Sequence, residues 1–461
     1  MKLNKLIDTD LDIDIKGIVD DSRLVKDGYI FVATKGFNVD HFDHIKDAID
    51  NGCVFLITDR EIDFSFPHII VDNIDKYYKD ICLKFYDINL NDFSFIGITG
   101  TDGKTTTATI VSRLIEDSAY IGTNGLTING KTISTSNTTP CISELYSDLR
   151  KVKDSGIKTV VMEVSSEALL HNRVDNIKFD IVGYTNITGD HLNVHGSFDN
   201  YLNCKMRLLD LVKDTGYVVI NGDDVNLQRI KCKNMYSFGK NSVNFTIKNI
   251  TYVNKNVIIG LKYKDIEYSI TSPLIGEYNV YNVVMAFIIS LLYGVDSNEI
   301  INRIKNLTPI SGRCEFLDFG QDFDIVLDYA HTINGIESVL DAFKKYDRII
   351  TVTGCAGGRD HSKRPIIGDI VMKKSDIAIF TMDDPRGEDV NDIIDEMVRD
   401  NTDYIRIIDR EEAINYALSI ASRNDIVLIL GKGRDNYMAI GDKKVKYNDY
   451  DVIKKHFENR S

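Results

Sequence analysis

The sequence predicts an α/β protein of three domains. Its 461 residues exceed what one hydrophobic core normally fills. From about residue 92, apolar strands alternate with helical segments, which is typical of a parallel sheet covered on both faces. This alternation starts again after Ser311. We therefore predict a small N-terminal α/β domain (1–91), a central domain with a parallel sheet and a β-extension (92–310), and a C-terminal Rossmann-like α/β domain (311–461).

The composition excludes several classes of protein. No apolar run is long enough to cross a bilayer, and a net charge of −14 disfavours nucleic acid and anionic lipid as partners. The seven cysteines form no C-x-x-C pair, and the N-terminus turns acidic where a signal peptide needs an apolar core. We predict a cytoplasmic protein with reduced thiols and no membrane span.

The N-terminal domain is predicted from short elements. Segments 28–33 and 54–58 have the apolar, β-branched composition of strands, and a helical segment lies near residues 44–51.

A glycine-rich turn follows the first strand of the central domain. Such a turn points backbone N–H groups at phosphate oxygens, Lys104 adds a positive charge, and the hydroxyl of Thr105 can bind Mg²⁺. The first glycine of the usual P-loop pattern would fall on Ile98, so an ordinary strand-turn-helix corner is the alternative. We predict a P-loop ATPase domain whose ATP-binding loop comprises Gly100, Thr101, Asp102, Gly103, Lys104, Thr105 and Thr106.

Two further strands of the central domain, at 160–166 and 180–191, also end in polar residues. Ligands of open α/β sheets bind at the carboxyl ends of strands, so these ends and the glycine-rich turn are expected to share one crevice. Glu163 and His191 lie there, and with Thr105 they offer donors suited to Mg²⁺ shared with phosphates. Taken singly, each residue could equally be a satisfied buried acid or a core histidine.

A lysine interrupts the apolar stripe of the next helix. Ser197 is a plausible N-cap, and apolar residues from Phe198 to Val212 follow helical spacing around Lys205. A buried ammonium is costly, and desolvation lowers the pKa of a lysine towards a neutral amine that can react with CO₂. The residues alone leave two alternatives open, a side chain that reaches solvent at the helix edge and an ion pair with Asp190.

The β-extension is predicted from the strand-rich segment 216–275, and the C-terminal domain from apolar strands at 325–331, 348–354, 377–381 and 426–431. Three loops that follow these strands carry mixed acids and arginines, which can hold the carboxylate and the amine of a zwitterion. Salt-bridged turns are the alternative. The candidate amino-acid-binding residues are Arg359, Asp383, Asp384, Arg386, Gly431 and Asp435.

Ordered along the whole chain, these motifs resemble those of the Mur ligase family. The matching segments are Asp21-Ser-Arg23, Gly100-Thr-Asp-Gly-Lys-Thr-Thr106, Asn137-Thr-Thr-Pro140, Glu163-Val-Ser-Ser166, Thr185-Asn-Ile-Thr-Gly-Asp-His191, Tyr201 with Lys205, Tyr278-Asn279, Gly312-Arg313, Asp328-Tyr-Ala-His-Thr332 and Asp383-Asp-Pro-Arg386.

The resemblance implies roles for individual residues. Lys205 is implied to be carbamylated and, with Thr105, Glu163 and His191, to bind Mg²⁺. Catalytic roles are implied for Lys104, Lys205, His191 and Glu163. Further nucleotide contacts are implied for Asn279, Arg313, Asp328 and His331. A UDP-sugar peptide is implied to contact Ser22, Asn137, Thr138, Thr139, Ser165 and Arg173.

The implied chemistry is ATP-driven amide formation. The terminal carboxylate of UDP-N-acetylmuramoyl-L-alanyl-D-glutamate attacks the γ-phosphate, and the amine of a diamino acid then attacks the acyl phosphate. Mg²⁺ and Lys104 offset the repulsion between the anions, and domain closure is expected to exclude water. A monomer is expected.

Some positions depart from the family pattern. They are Glu167 in place of His, Ile333-Asn334 in place of Pro-Asp, Asp384 in place of Asn, and Arg434-Asp435 in place of His-Glu. Arg386 favours meso-diaminopimelate, because a guanidinium binds a second carboxylate in a bidentate manner. Asp384 adds a negative charge and favours an ammonium instead, so lysine or another diamino diacid stays open as the substrate.

Two other functions remain as alternatives. A folylpolyglutamate synthase would keep the ATP site but is not expected to carry Asp21-Ser-Arg23 or Asn137-Thr-Thr-Pro140. A nucleotide-binding paralogue without ligase activity would explain the departures, although Lys104, Glu163, His191, Lys205 and Arg386 argue against it.

Overall fold

The computed structural model of the protein describes residues 1–35, 40–189 and 192–459. The chain forms two compact units. The first contains Met1–Thr99, Ile115–Val182 and Cys204–Tyr217, and the second contains Gly100–Leu114, Gly183–Asn203 and Val218–Ser461. These limits differ from the predicted domain boundaries, so the division into 1–91, 92–310 and 311–461 stays a proposal.

The N-terminal part of the first unit is a small parallel sheet. Its strands are ordered β1-β2-β3-β4, and Phe31, Leu56 and Ala48 belong to its apolar core. Helix α2, N-capped by Asn73, was not predicted from the sequence. The elements are β1 (Gly17–Val19), β2 (Tyr29–Val32), α1 (Ile45–Asp50), β3 (Cys53–Thr58), β4 (His68–Ile70) and α2 (Ile74–Tyr86).

The middle of the chain alternates strands and helices as predicted. Its elements are β5 (Ser94–Thr99), α3 (Lys104–Leu114), β6 (Ser118–Gly122), β7 (Gly125–Ile128), β8 (Lys131–Ile133), α4 (Ile142–Asp154), β9 (Thr159–Glu163), α5 (Ser166–Leu170), β10 (Phe179–Tyr184), α6 (Leu192–His195), α7 (Phe198–Met206), β11 (Val212–Asn221), β12 (Met235–Gly239), β13 (Phe245–Val253), β14 (Asn256–Tyr263), β15 (Ile266–Ser272), α8 (Glu277–Tyr293) and α9 (Ser297–Lys305).

Each unit holds its own run of these strands. In the first unit the order is β10-β5-β9-β6-β7-β8, in which β5, β9 and β6 are parallel and the last two pairings are antiparallel. In the second unit, which takes in β11 from Val218 onward, the order is β11 to β15, with parallel pairing up to β13 and antiparallel pairing beyond it. The antiparallel strands form the predicted β-extension.

Helix α7 is shorter than the apolar spacing predicts. Ser197 caps it as expected, because its Oγ accepts a hydrogen bond of 3.2 Å from the backbone N–H of Asn200. The helix ends at Met206, continues as a 3₁₀ turn over Arg207–Leu211, and gives way to β11 at Val212. Tightening of the last turn is common at helix C-termini. The expectation that Val212 belongs to this helix was therefore wrong.

The C-terminal part of the second unit is a six-stranded sheet with helices on both faces. The strand order is β16-β17-β21-β18-β19-β20, and every pairing except β16 with β17 is parallel. Separate apolar cores, one around Leu340 and Ile394 and one around Ile414 and Ile453, cover its two faces. The elements are β16 (Glu315–Leu317), β17 (Asp324–Asp328), α10 (Ile333–Phe343), β18 (Arg348–Thr353), α11 (Arg364–Lys374), β19 (Ile377–Phe380), α12 (Val390–Val398), β20 (Ile405–Arg406), α13 (Arg410–Ile420), β21 (Asp425–Leu430), β22 (Tyr437–Ile440), β23 (Lys443–Lys446) and α14 (Asp449–Glu458).

The predicted α/β class, with parallel-sheet cores, a β-extension and a C-terminal Rossmann-like sheet, is confirmed. In the parts of the chain that the structure describes, no helix combines the length and the apolar character needed to cross a bilayer.

Candidate active site

Two glycines shape the turn between β5 and α3. Gly100 has φ +147°, and a Cβ there would lie 1.8 Å from Thr185 Oγ1. Gly103 has φ +80°, and a Cβ there would lie 2.4 Å from Asn282 Oδ1. Positive φ and close approach both require glycine. The turn can therefore keep this shape only with glycine at both positions.

Polar groups that follow β10 hold the same turn. The backbone N–H of Thr101 donates to Asn186 O (2.8 Å), and that of Asp102 donates to Asn186 Oδ1 (2.9 Å). Thr101 Oγ1 lies 2.9 Å from the hydroxyl of Tyr201. Asn186 belongs to a segment that the sequence analysis had singled out, but it was not predicted individually as a site residue.

The charged groups of the turn are held by local and distant partners. Lys104 Nζ donates to the carbonyl oxygens of Gly100 (3.0 Å) and Thr101 (2.8 Å), which keeps the ammonium over the turn. Arg313 Nη2 donates to Thr105 Oγ1 (3.1 Å), and its guanidinium lies 4.7 Å from the ring centroid of Tyr329. The structure therefore brings the predicted nucleotide residues Lys104, Thr105 and Arg313 to one place.

A second contact joins the turn to the chain beyond β17. Thr332 Oγ1 donates to Asp102 Oδ1 (3.0 Å) and accepts from the backbone N–H of Gly335 (3.0 Å) as the N-cap of α10. The departures at Ile333 and Asn334 lie in the first turn of this helix and leave the cap intact.

A cavity of about 860 Å³ opens beside the turn. Its volume is in the range of small-molecule sites. Asn279 does not line it, because its side chain donates to Ile275 O (2.8 Å) and accepts from Asn282, which does line it. Of the predicted ATP-binding residues, the cavity is lined by Asp102, Gly103, Thr106, Arg313, Asp328 and His331.

Asp328 lies at the end of β17 in this wall. Its carboxylate accepts hydrogen bonds from the backbone N–H groups of Cys314 (2.6 Å) and Ala330 (2.7 Å). Burial raises the pKa of Asp328, although Arg313 and the two N–H donors act in the opposite direction. His331, three residues further along, lies in the same wall, and its Nδ1 is 2.8 Å from Tyr329 O.

The first unit contains a second polar cluster, at the end of β9. Glu163 is fully buried, and its Oε1 accepts from the hydroxyl of Tyr120 (2.5 Å) and the backbone N–H of Thr123 (2.8 Å). Thr123 Oγ1 also lies 3.0 Å from Thr138 Oγ1. Glu163 is thus an oxygen donor of fixed orientation, as a metal ligand requires.

Three of the residues predicted to bind the UDP-sugar peptide adjoin this cluster. Thr139 Oγ1 donates to Glu163 O (2.8 Å) and accepts from the backbone N–H of Ser165 (3.0 Å), and Arg173 Nη1 donates to Thr139 O (3.0 Å). Ser165 N-caps α5, whose first turn carries the departure Glu167.

Of the other three residues of that prediction, Thr138 contacts Thr123 in the same cluster, and Asn137 and Ser22 are placed differently. Asn137 is exposed, and its side chain donates to Ser136 Oγ (3.1 Å). Ser22 is buried in the N-terminal part of the chain, where its carbonyl accepts from Asn51 Nδ2 (3.0 Å). The assignment of both to the UDP-sugar peptide stays a prediction.

Lys205 is 1% exposed, which contradicts the alternative of a side chain that reaches solvent. The preceding residue packs against the segment after β9, since Cys204 Sγ donates to Ser166 O (3.1 Å).

His191 and Asp190 lie outside the described residues. Within residues 1–35, 40–189 and 192–459, no group of three or more His, Cys, Asp or Glu side chains is arranged to hold a metal. The predicted magnesium ligands Thr105, Glu163, His191 and Lys205 include a threonine and a lysine, so this finding does not test them. Their assignment stays a prediction.

All six predicted amino-acid-binding residues line one smaller cavity of about 120 Å³ in the second unit. Arg386 has φ +52°, and its Nη1 donates to Gly357 O (3.3 Å). Burial raises the pKa of Asp435 to about 6 against the opposing effect of Lys432. Burial also raises the pKa of Asp383, which Arg410 and Lys432 oppose. Lys432 was missed as a site residue, because only its contacts distinguish it from a surface lysine.

Comparisons with known proteins identify relatives of this chain. The sequence matches the Mur ligase middle domain over residues 98–290 and the Mur ligase glutamate ligase domain over residues 312–433. A relative from Fusobacterium nucleatum, named UDP-N-acetylmuramoyl-L-alanyl-D-glutamate–2,6-diaminopimelate ligase, is 35% identical across 99% of this chain and 96% of its own.

Two solved structures are similar over nearly the whole chain. One, a UDP-N-acetylmuramoyl-L-alanyl-D-glutamate–2,6-diaminopimelate ligase, has a TM-score of 0.65 and 25% identity, with 100% of this chain and 99% of that chain covered. The other, a MurF ligase from Thermotoga maritima in complex with ADP, has a TM-score of 0.70 and 18% identity, with 97% and 99% covered. The second similarity concerns the fold alone.

Proposed function

The chain belongs to the Mur ligase family, and we propose that it is the ATP-dependent ligase that adds a diamino acid to UDP-N-acetylmuramoyl-L-alanyl-D-glutamate in peptidoglycan precursor synthesis. The diamino acid is meso-diaminopimelate or, failing that, L-lysine or another diamino diacid. We place the reaction in the cytoplasm and expect no nucleic-acid partner.

One observation carries this proposal: the two cavities of the second unit share a wall. Tyr329 and His331 line both the 860 Å³ cavity beside the glycine-rich turn and the 120 Å³ cavity around Arg386. An amide ligase needs its activated carboxylate and its incoming amine within reach of each other, because proximity supplies much of the rate enhancement. Adjacent nucleotide and amino-acid cavities meet that need.

The residues of the larger cavity suit ATP. Bound ATP supplies the phosphoryl group that converts the dipeptide carboxylate into an acyl phosphate, with Mg²⁺ offsetting the negative charge. Lys104 and Arg313 contribute positive charge beside the glycine-rich turn. The contact of Thr332 with Asp102 ties this turn to the wall that both cavities share, which favours exclusion of water from the acyl phosphate.

The residues of the smaller cavity suit a diamino acid. Arg386 offers a guanidinium for a carboxylate, and Asp383 and Asp435 offer carboxylates for an ammonium. The attacking amine is thereby oriented and close to the shared wall at His331.

Mg²⁺ is proposed to bind Thr105, Glu163, His191 and a carbamylated Lys205. The hydroxyl and carboxylate oxygens on this list are hard donors that fit Mg²⁺. Burial of Lys205 supports the carbamate, because desolvation favours the neutral amine, which is the form that reacts with CO₂.

The carbamate predicts a specific result for Lys205→Ala. We expect loss of turnover and partial recovery with short carboxylic acids. In ¹³C-bicarbonate solution, a carbamate carbon resonance is expected in the wild-type protein and should be missing from the variant. Full activity of Lys205→Ala, or the same resonance in both proteins, would contradict the assignment.

The test of the function is phosphate release from ATP in the presence of Mg²⁺, UDP-N-acetylmuramoyl-L-alanyl-D-glutamate and a panel of meso-diaminopimelate, lanthionine, lysine and ornithine. We expect turnover that requires both the nucleotide peptide and one diamino acid. ATP binding without turnover across the panel would refute the proposal and favour a divergent ligase with another substrate or a non-catalytic nucleotide-binding paralogue.

A further inference from the structure

Asp384 presents a problem for a cavity that selects a second carboxylate. It lines the 120 Å³ cavity together with Arg386. A carboxylate that was not neutralised would attract the side-chain ammonium of lysine and repel the second carboxylate of diaminopimelate. The two residues would then oppose each other in selecting the acceptor.

The structure pairs Asp384 with a lysine. Lys432 Nζ donates to Asp384 Oδ1 (2.8 Å), and the same oxygen accepts from the backbone N–H of Ala439 (3.0 Å). Lys432 is 1% exposed and also lies 3.9 Å from Asp383 and 3.7 Å from Asp435. Burial lowers the pKa of Lys432, but the neighbouring carboxylates outweigh it and the net shift is upward. The ammonium therefore stays charged at neutral pH.

The charges around the cavity support the same interpretation. Three basic side chains, Arg359, Lys363 and Arg386, line it, and four carboxylates, Asp360, Asp383, Asp384 and Asp435, face them. Lys432, behind the wall, supplies the fourth positive charge. Without it the cavity has an excess negative charge next to the residue that binds the acceptor's carboxylate.

Strand β22 holds Asp384 and Arg386 in one arrangement. Ala439 donates its N–H to Asp384 and accepts at its carbonyl from the N–H of Arg386 (2.9 Å). The ion pair and the backbone of Arg386 are thus held by the same residue of β22. This shared contact keeps Asp384 and the backbone of Arg386 close together at one wall of the cavity.

We propose that Lys432 is a specificity-determining residue of the amino-acid cavity, because its ion pair neutralises Asp384 and leaves Arg386 to select a diamino acid with a second carboxylate. Lys432 acts through Asp384 and Arg386, and is in this sense a positioning residue. The inference rests on the proposed ligase function and names the acceptor class of that site.

The test compares kcat/KM for meso-diaminopimelate with kcat/KM for L-lysine. In Lys432→Met we expect the ratio to fall about tenfold or more towards lysine, since the negative charge of Asp384 is then no longer offset by Lys432. In the double variant Lys432→Met/Asp384→Asn the ratio should return to within about threefold of wild type. Lys443→Met, which removes an exposed lysine of β23, is the matched control and should leave the ratio unchanged. Thermal unfolding checks that each variant folds.

If Lys432→Met does not fold, the single variant Asp384→Asn provides the test instead. Because Asp384 is already neutralised, this variant should keep the wild-type ratio or raise it. An unchanged ratio in Lys432→Met, no recovery in the double variant, a tenfold fall in Asp384→Asn, or a wild-type preference for lysine would each overturn the inference while leaving the ligase function standing. Absence of turnover with every diamino acid in the wild-type protein would refute the ligase function itself.

Discussion

Single ionisable groups decide how the amino-acid cavity responds to pH. Asp435 has its pKa raised to about 6, first by burial and further by Asp383 and Asp384, while Lys432 acts against the shift. It is ionised above that pH and protonated below it. Because the folded state raises the pKa of Asp435, protonation of this residue stabilises the fold. The stabilisation is fully present below the unfolded pKa of 3.8, and it is lost as the pH rises through about 6.

The pH dependence of acceptor binding follows from this titration. We expect kcat/KM for the diamino acid to fall as the pH decreases from 7 to 5, because a protonated Asp435 no longer attracts an ammonium. Asp435→Asn should lose this dependence and be about tenfold less efficient at pH 8. Initial rates between pH 5 and 8 for both proteins measure it. The same pH profile in both would show that another group titrates.

Lys104 is the second residue whose effect can be isolated. Its ammonium is held over the glycine-rich turn, where the proposed phosphoryl transfer would develop negative charge. Lys104→Met should lower kcat about 10²–10³-fold, comparable to loss of one donor in a preorganised anion site. Lys76→Met on the exposed face of α2 is the control. Nearly normal turnover of Lys104→Met would argue against phosphate contact.

At the scale of elements, the site depends on how strand ends meet helix starts. The turn between β5 and α3 is hydrogen-bonded to Asn186 after β10, and Asn282 on α8 leaves no room for a side chain at Gly103. Its shape therefore depends on the packing of those elements as well as on its own sequence.

Gly103→Ala tests the close approach to α8. The added Cβ would lie 2.4 Å from Asn282 Oδ1 at φ +80°, so we expect ATP binding to weaken tenfold or more. Gly156→Ala is a matched control, because Gly156 has φ +79° with no atom within 4 Å of the added Cβ. It should cost about 1 kcal/mol of stability without changing ATP affinity. Calorimetric titration with ATP compares the two, and equal affinities would contradict the steric argument.

Elements also show where sequence reasoning succeeded and failed. Strand ends were predictable, because apolar runs followed by polar residues identify them. The candidate site residues Glu163, Asp383 and Arg386 were chosen from these positions. The predicted helix α7 was too long, because the helical spacing of apolar residues continues through a 3₁₀ turn into β11. Lys432 was missed because its partner Asp384 lies 48 residues away, and no local pattern reveals an ion pair over that separation.

At the scale of the whole molecule, a buried ion pair secures the C-terminal sheet. Arg410 at the start of α13 and Asp449 at the start of α14 are both fully buried and joined by two hydrogen bonds of 2.8 Å. Arg410 Nη2 also donates to Leu430 O (2.9 Å), directly before Gly431 of the amino-acid cavity. The pair therefore supports the cavity as well as the packing of two helices.

Arg410→Met should be strongly destabilising. Removing one partner leaves a buried carboxylate unpaired, at a cost of about 3–5 kcal/mol. In Arg410→Met/Asp449→Leu we expect most of this loss to be recovered. Urea unfolding of the three proteins measures it, and a double variant no more stable than the single one would show that the carbonyl contacts of Arg410 matter more than its charge partner.

The hairpin of β22 and β23 has a consequence for self-association. The two strands form a sheet of their own, and β22 also bonds through Ala439 to Arg386. Strand β23 is exposed throughout and carries Lys443, Lys444 and Lys446. Lysines on an edge strand oppose the addition of a strand from another chain. A foreign strand added there would extend a ribbon whose other strand bonds to the backbone of Arg386, so these lysines together keep the edge of the 120 Å³ cavity from becoming a site of self-association.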